Sequence, residues 1–154
     1  MRVFIVLIWC FWFVGVDAQN RSIVFREGNW EKILKQAKKE KKLIFVDCYT
    51  SWCGPCKMLA KNVFTQDKVA DFYNTEFVCV KMDMEKGEGP ALAKKYEVQA
   101  FPTLLYIDSK GELKHCVVGM QDADVLIGGR LCPAKPVWRH CRLVMRQANG
   151  MKLL

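Results

Sequence analysis

The spacing of apolar residues along this chain predicts alternating helices and strands. After Asn29, apolar positions recur every three to four residues as far as residue 37, as on one face of a helix, and Asn29 is a favourable N-cap. Residues 42–49 are mostly aliphatic, β-branched or aromatic, which is typical of a buried strand. The first predicted elements are therefore a helix and a buried strand.

The same patterns continue as far as residue 118. Helical spacing predicts further helices that begin near residues 56 and 90, and a second turn or helix that begins at residues 65–67. Apolar runs predict further strands over residues 76–84, 103–107 and 113–118. The turn sequence Asp108-Ser109-Lys110-Gly111 joins the last two strands as a hairpin. A parallel βαβ half followed by a hairpin predicts an α/β fold with one central mixed β-sheet flanked by helices.

Residues 1–18 are typical of an export signal peptide. Arg2 supplies a positive charge, fourteen apolar residues follow it, and Ala18 ends a short stretch suited to cleavage. A helix needs about 20 apolar residues to span a bilayer, so this run is short for a membrane anchor. We predict cleavage after Ala18 and export of the remaining chain; an uncleaved anchor is the alternative.

The net charge of +8 is concentrated near the C-terminus. Six basic residues and no acidic residue follow Asp124, and subtracting these six charges leaves +2 for residues 1–124. The lysine cluster at residues 38–42 has no aromatic residues between its charges, so it is typical of a solvated helix end. We therefore predict one domain over residues 19–130 that does not bind nucleic acid.

Residues 131–154 form a basic tail of uncertain origin. Pro133 and Pro136 interrupt the chain, and apolar residues then recur at helical spacing among basic ones. One interpretation is a basic amphipathic helix that lies on a membrane or packs on the sheet. The other is a non-native segment, because two glycines at 128 and 129 end the expected closing helix early and the acid-free composition resembles frame-shifted translation.

The reactive residues lie between the first predicted strand and the helix that follows it. Cys53 and Cys56 are separated by two residues, so a helix that begins at or just after Cys53 places both sulfurs on one face. That spacing fits the Cα separation of about 4.4–6.8 Å that a disulfide requires. A helix N-terminus favours the thiolate, so we expect Cys53 to attack and the shielded Cys56 to resolve the mixed disulfide.

Metal binding, the other common role of a Cys-X-X-Cys pair, receives less support from the sequence. Zinc would require four ligands, and the chain has neither a second Cys-X-X-Cys motif nor a spaced pair of histidines. Cys48 and Cys79 lie in strand-like apolar runs, where a free cysteine behaves as a small hydrophobic residue. We predict no metal, and electron transfer between thiols needs no small-molecule cofactor.

Two motifs in the expected order resemble a known family. Trp52-Cys53-Gly54-Pro55-Cys56-Lys57 resembles the active-site motif of thioredoxins, and Phe101-Pro102-Thr103 resembles their cis-proline loop. The similarity extends from about residue 29 to residue 119. It implies the thioredoxin fold and a thiol–disulfide oxidoreductase activity.

The resemblance also implies roles for two charged residues. Asp47 precedes Cys53 by six residues and matches the buried acid of thioredoxins, which accepts the proton of the resolving thiol, here Cys56. Lys81 matches the lysine that pairs with that acid. Burial of a carboxylate raises its pKa, which suits a general base. Strand alternation by itself would also allow Asp47 to face solvent.

A set of residues around the dithiol matches the positions at which thioredoxins contact their substrates: Trp52, Gly54, Pro55, Phe101, Pro102 and Gly119. The cis state of Pro102 follows from the resemblance, because only about 5–6% of X-Pro bonds are cis in folded proteins. Phe101 differs from the aliphatic residue that is common in the family. Tyr49 and Thr50-Ser51 also replace the usual neighbours of the motif.

The predicted function is disulfide reduction outside the cytoplasm. The Gly-Pro pair between the cysteines resembles reducing members of the family, and the chain looks most like the periplasmic reductase domain of DsbD and related exported bacterial proteins. We therefore expect a periplasmic monomer whose partners are disulfide-containing proteins and a thiol electron donor. The alternative is a protein-binding or chaperone-like module that does not turn over disulfides.

Overall fold

A computed structural model of the protein describes residues 21–128. Its helices and strands, in chain order, are α1 Trp30–Glu40, β1 Leu43–Tyr49, α2 Gly54–Asn62, α3 Asp67–Glu76, β2 Phe77–Asp83, α4 Gly89–Lys95, β3 Thr103–Ile107, β4 Leu113–Val118 and α5 Ala123–Gly128. None of the helices in this range is long and apolar enough to cross a bilayer. The predicted signal peptide and the basic tail lie outside the described residues.

The sheet has the mixed topology that the sequence predicts. Its strand order is β2-β1-β3-β4, with β1 parallel to β2 and antiparallel to β3. The β3–β4 hairpin turns at Asp108, whose carboxylate accepts hydrogen bonds from the backbone N–H groups of Lys110 and Glu112. Gly111 completes this turn with a φ of +81°, a conformation that favours glycine.

Alternation along β1 divides the core into two layers. Ile44, Val46 and Cys48 face α1 and α4, whereas Phe45 faces the layer built by α2, α3 and α5. Period-two alternation therefore places Asp47 on the same face as Phe45. Cys48 and Cys79 are buried and free, as predicted.

Several helix boundaries differ from the sequence-based expectation. The Asn29 side chain caps α1 as predicted, accepting from the N–H of Lys32 at 2.9 Å. However, α2 begins at Gly54 rather than near residue 56, and the segment predicted as a turn or a helix forms the helix α3. Pro55 lies in the first turn of α2, where a missing N–H costs no hydrogen bond.

Residues 21–27, which we call the N-terminal segment, cross the outer side of β2 without regular secondary structure. The N–H of Ile23 donates to the carbonyl of Phe64 at 3.0 Å, and the N–H of Arg26 donates to the carbonyl of Cys79 at 2.7 Å. Asn74 of α3 holds the segment from the side, because its amide accepts from the N–H of Val24 and donates to a carbonyl of the segment. The sequence pattern assigned no role to these residues.

Candidate active site

Cys53 occupies the N-cap of α2. Its backbone is extended, and its sulfur accepts a hydrogen bond from the N–H of Cys56 at 3.1 Å. The preceding loop is short and tied to the strand end, since the N–H of Cys53 donates to the carbonyl of Thr50 at 3.2 Å. A sulfur in this position faces free N–H groups and the positive end of the helix dipole, which favours its thiolate when the disulfide is reduced.

The two cysteines form a disulfide with a Cα–Cα distance of 5.3 Å. This value lies inside the range expected from their spacing and confirms that the pair can close. Both residues are only 3% exposed in this oxidised state, so residue burial does not distinguish them. The asymmetry comes from their positions: Cys53 caps α2, whereas Cys56 lies inside its first turn.

The loop before β3 forms a second wall of the site. The Phe101–Pro102 peptide bond is cis, as the resemblance implied. The carbonyl of Pro102 accepts from the N–H of Gly119 at 2.8 Å, which ties the loop to the end of β4. Gly119 has a φ of +89° and open space where a Cβ would lie, so its surface is accessible to a partner.

Aromatic rings join the two loops. The Trp52 and Phe101 rings meet edge to face, with centroids 6.1 Å apart, and Trp52 is 62% exposed. The Trp52 indole N–H donates to both carboxylate oxygens of Glu85, at 3.0 and 3.1 Å. Sequence reasoning missed Glu85, because no local pattern links the turn after β2 to the active-site loop.

Asp47 is buried beneath this surface, so the solvent-facing alternative is wrong. Its carboxyl group is 1% exposed and accepts no hydrogen bond from any group within residues 21–128. Burial raises the pKa of Asp47 from 3.8 to about 6, and the positive charge of Lys81 opposes this rise. A carboxyl group in this state can exchange a proton near neutral pH.

Lys81 lies opposite Asp47 in the parallel register of β1 and β2. Its ammonium nitrogen is 3.7 Å from Asp47 Oδ2, within ion-pair range but too far for a good hydrogen bond. Two rings border the same nitrogen: its distance is 4.8 Å to the Tyr49 centroid and 5.9 Å to the Phe25 centroid. Neither ring contact followed from the sequence pattern.

The other ionisable groups are less suited to reaction. Burial raises the pKa of the Cys48 thiol well above its ordinary value, with a further rise from the charge of Asp47, and burial raises the pKa of Cys79 to about 12. Both thiols therefore stay protonated and unreactive near neutral pH. Within the described range, no group of three or more His, Cys, Asp or Glu side chains could hold a metal ion.

Comparison with known proteins decides the family. The thioredoxin family model matches residues 21–128, which is more than half of the chain. The chain belongs to the thioredoxin family. Thioredoxins and their relatives are thiol–disulfide oxidoreductases, and the Cys53–Cys56 disulfide supplies the pair of sulfurs that this chemistry requires.

Individual thioredoxin relatives cover this chain to different extents. Thioredoxin M-type of pea is 30% identical over 103 residues, which are 67% of this chain but only 55% of the pea protein. A disulphide-isomerase-like protein from Bacteroides thetaiotaomicron is 52% identical, with a TM-score of 0.68, over 77% of this chain and 98% of that one. The C-terminal domain of Neisseria meningitidis DsbD is 24% identical, with a TM-score of 0.54, over 64% of this chain and 86% of that domain. At this identity the similarity shows the fold alone.

Proposed function

We propose that this protein is an exported reductase of disulfides in protein substrates. One observation carries the proposal: the Cys53–Cys56 disulfide caps α2 beside the cis-proline loop, with Asp47 buried on the α2 side of the sheet. This arrangement supplies an attacking sulfur, a resolving sulfur and a proton acceptor. The surface formed by Trp52 and Phe101 gives a substrate segment an apolar place to lie.

In the reduced protein, the Cys53 thiolate attacks one sulfur of the substrate disulfide. The substrate S–S bond breaks, its departing sulfur takes a proton, and a mixed disulfide with Cys53 forms. Asp47 then accepts the Cys56 proton, and the Cys56 sulfur attacks Cys53. The mixed disulfide breaks, the second substrate sulfur leaves and takes up a proton from solvent, Asp47 returns its proton to solvent, and the protein disulfide re-forms. Two electrons have passed from the protein to the substrate.

The residues between the cysteines support the proposed direction of electron flow. The Gly-Pro pair is the one that reducing members of the family carry, and these have potentials near about −270 mV, against about −120 mV for strong oxidants. Equilibration with glutathione should therefore place this dithiol near the reducing value. A potential near the oxidising value would mean that the protein forms disulfides instead.

Insulin reduction with dithiothreitol tests the activity itself. We expect a rate well above background for the wild type and only the background rate for Cys53→Ser. A binding or chaperone-like module would give the background rate in both cases. The name of the Bacteroides relative refers to isomerisation, so reactivation of scrambled ribonuclease is the matching test for that activity.

Export is supported by residues 1–18, whose charge and apolar run are those of a signal peptide. Expression of the full chain in a bacterium, followed by fractionation and mass measurement, tests this part. A periplasmic product that begins at residue 19 supports export with cleavage. A cytoplasmic product of full length contradicts it.

A further inference from the structure

The Lys81 ammonium group is held by more than its ion pair. We propose that Phe25 and Tyr49 are positioning residues that keep the Lys81 ammonium group beside Asp47. The proposal deepens the proposed function, because it rests on Asp47 as the base for Cys56. It assigns a role in the redox site to the N-terminal segment, which lies outside both sequence motifs.

The ion pair alone does not fix the position of the Lys81 ammonium group. The Lys81 side chain is 34% exposed, and 3.7 Å is too long for a hydrogen bond that would fix its position. An unrestrained lysine at such a site has many rotamers and can turn into solvent. The faces of aromatic rings attract an ammonium group within about 6 Å of their centroids, and both the Tyr49 and the Phe25 distances satisfy this limit.

Both rings are themselves fixed. Tyr49 is two residues after Asp47 on β1, so both side chains lie on the same face of the sheet as Lys81. Phe25 packs against Phe64, with ring centroids 5.8 Å apart, and the backbone bond from Arg26 to β2 holds its segment in place. The lysine therefore lies between two anchored rings and a buried carboxyl group.

The elements around Asp47 present different groups to its carboxylate. Lys81 is the cation that β2 presents to it, whereas β3 places Leu104 opposite it. Cys48 is the adjacent thiol on β1, the α2 disulfide does not titrate, and Arg26 in the N-terminal segment is exposed. The position of the Lys81 charge is thus the main adjustable influence on the ionisation of Asp47, which burial otherwise disfavours.

The test is a titration of the Asp47 carboxyl carbon by NMR in the oxidised protein. Phe25→Leu keeps an apolar side chain but removes the ring, so Lys81 should move away and the pKa of Asp47 should rise by about half a unit. Tyr49→Leu, which removes the nearer ring, should raise it at least as much. Phe72→Leu is the matched control: Phe72 is a half-buried ring that packs on Phe77 and Tyr73, and its loss should leave the titration unchanged.

A double-mutant cycle separates positioning from simple packing. In a Lys81→Met background, Phe25→Leu should no longer move the pKa of Asp47, because the charge that the ring holds is gone. An unchanged or lowered pKa in both ring variants would overturn the proposal, since lowering would mean that the rings only exclude water. An equal shift with and without Lys81 would overturn it as well.

The rate at which the mixed disulfide is released distinguishes failure of this proposal from failure of the proposed function. At pH 6, a higher pKa leaves less Asp47 ionised, so Phe25→Leu should slow release of the mixed disulfide, with the wild-type rate regained at pH 8. If Asp47→Asn leaves that release unchanged, Asp47 is not the base and the proposed mechanism fails. The NMR titration would still decide whether the rings position Lys81.

Discussion

The burial of Asp47 predicts that one isosteric substitution will stabilise the protein. The pKa of Asp47 is raised from 3.8 to about 6, and each unit of difference between folded and unfolded states corresponds to about 1.4 kcal/mol. Ionised Asp47 should therefore cost the folded oxidised protein about 3 kcal/mol at pH 7.5. Asp47→Asn removes this cost, since its side chain does not ionise.

The sign of the pH dependence follows from linkage. Between pH 3.8 and about 6 the folded state binds more protons at this site than the unfolded state, so wild-type stability falls as the pH rises. Below pH 3.8 the carboxyl group is protonated in both states and the cost disappears. The difference between variant and wild type should therefore be about 3 kcal/mol larger at pH 7.5 than at pH 3.5.

Urea unfolding of the oxidised protein, followed by tryptophan fluorescence at a series of pH values, measures this difference. Urea is preferred to guanidinium because it does not screen the Lys81 charge. A buried amide adds its own cost, but that cost is the same at every pH and does not obscure the trend. Glu27→Gln, an acid-to-amide change at an exposed position, is the control. A pH-independent difference for Asp47→Asn would refute the reasoning.

Two glycine substitutions test how backbone geometry shapes the site. Gly89→Ala should destabilise the fold by about 2–3 kcal/mol in urea unfolding, because the new Cβ would lie against the carbonyl of Asp83. Gly54→Ala is the control: its Cβ would meet no atom within 4 Å, so it should not destabilise the fold through a clash. Gly119→Ala should cost about 1 kcal/mol through its positive φ, and should reduce kcat/KM for insulin more than for a small aromatic disulfide. Equal losses on both substrates would contradict a role for Gly119 in protein docking.

The secondary structure could be predicted wherever burial leaves a local signature. The β3 and β4 strands have the predicted bounds, because apolar runs and the Asp108–Gly111 turn mark their ends. The start of α2 is less clear from the apolar spacing, which indicates residue 56, than from the Cys-X-X-Cys motif, which indicates a start at or just after Cys53. α2 begins at Gly54, and the Cys53 sulfur accepts the first-turn N–H of Cys56.

The active-site residues also fall into two groups: those that a local motif indicates and those that only the fold brings to the site. The dithiol and Pro102 could be found from motifs, since their chemistry depends on spacing along the chain. The burial of Asp47 could not be decided from β1 alone, because alternation by itself allows a strand to have a solvent-facing side, and only the packing of helices on both faces of β1 removes that possibility. Glu85 and Phe25 reach the site through folding of distant segments, so no short-range pattern could indicate them.

Trapping of the mixed disulfide tests the central claim most directly. We expect Cys56→Ser, reduced and mixed with a disulfide-bonded protein, to accumulate a covalent adduct through Cys53 that resists separation without a reductant. Cys53→Ser keeps Cys56 and all cysteines outside the pair, and it should form no adduct, because Cys56 lies inside α2. An adduct with Cys53→Ser but not with Cys56→Ser would reverse the two roles, and no adduct with either variant would contradict disulfide exchange as the function of this site.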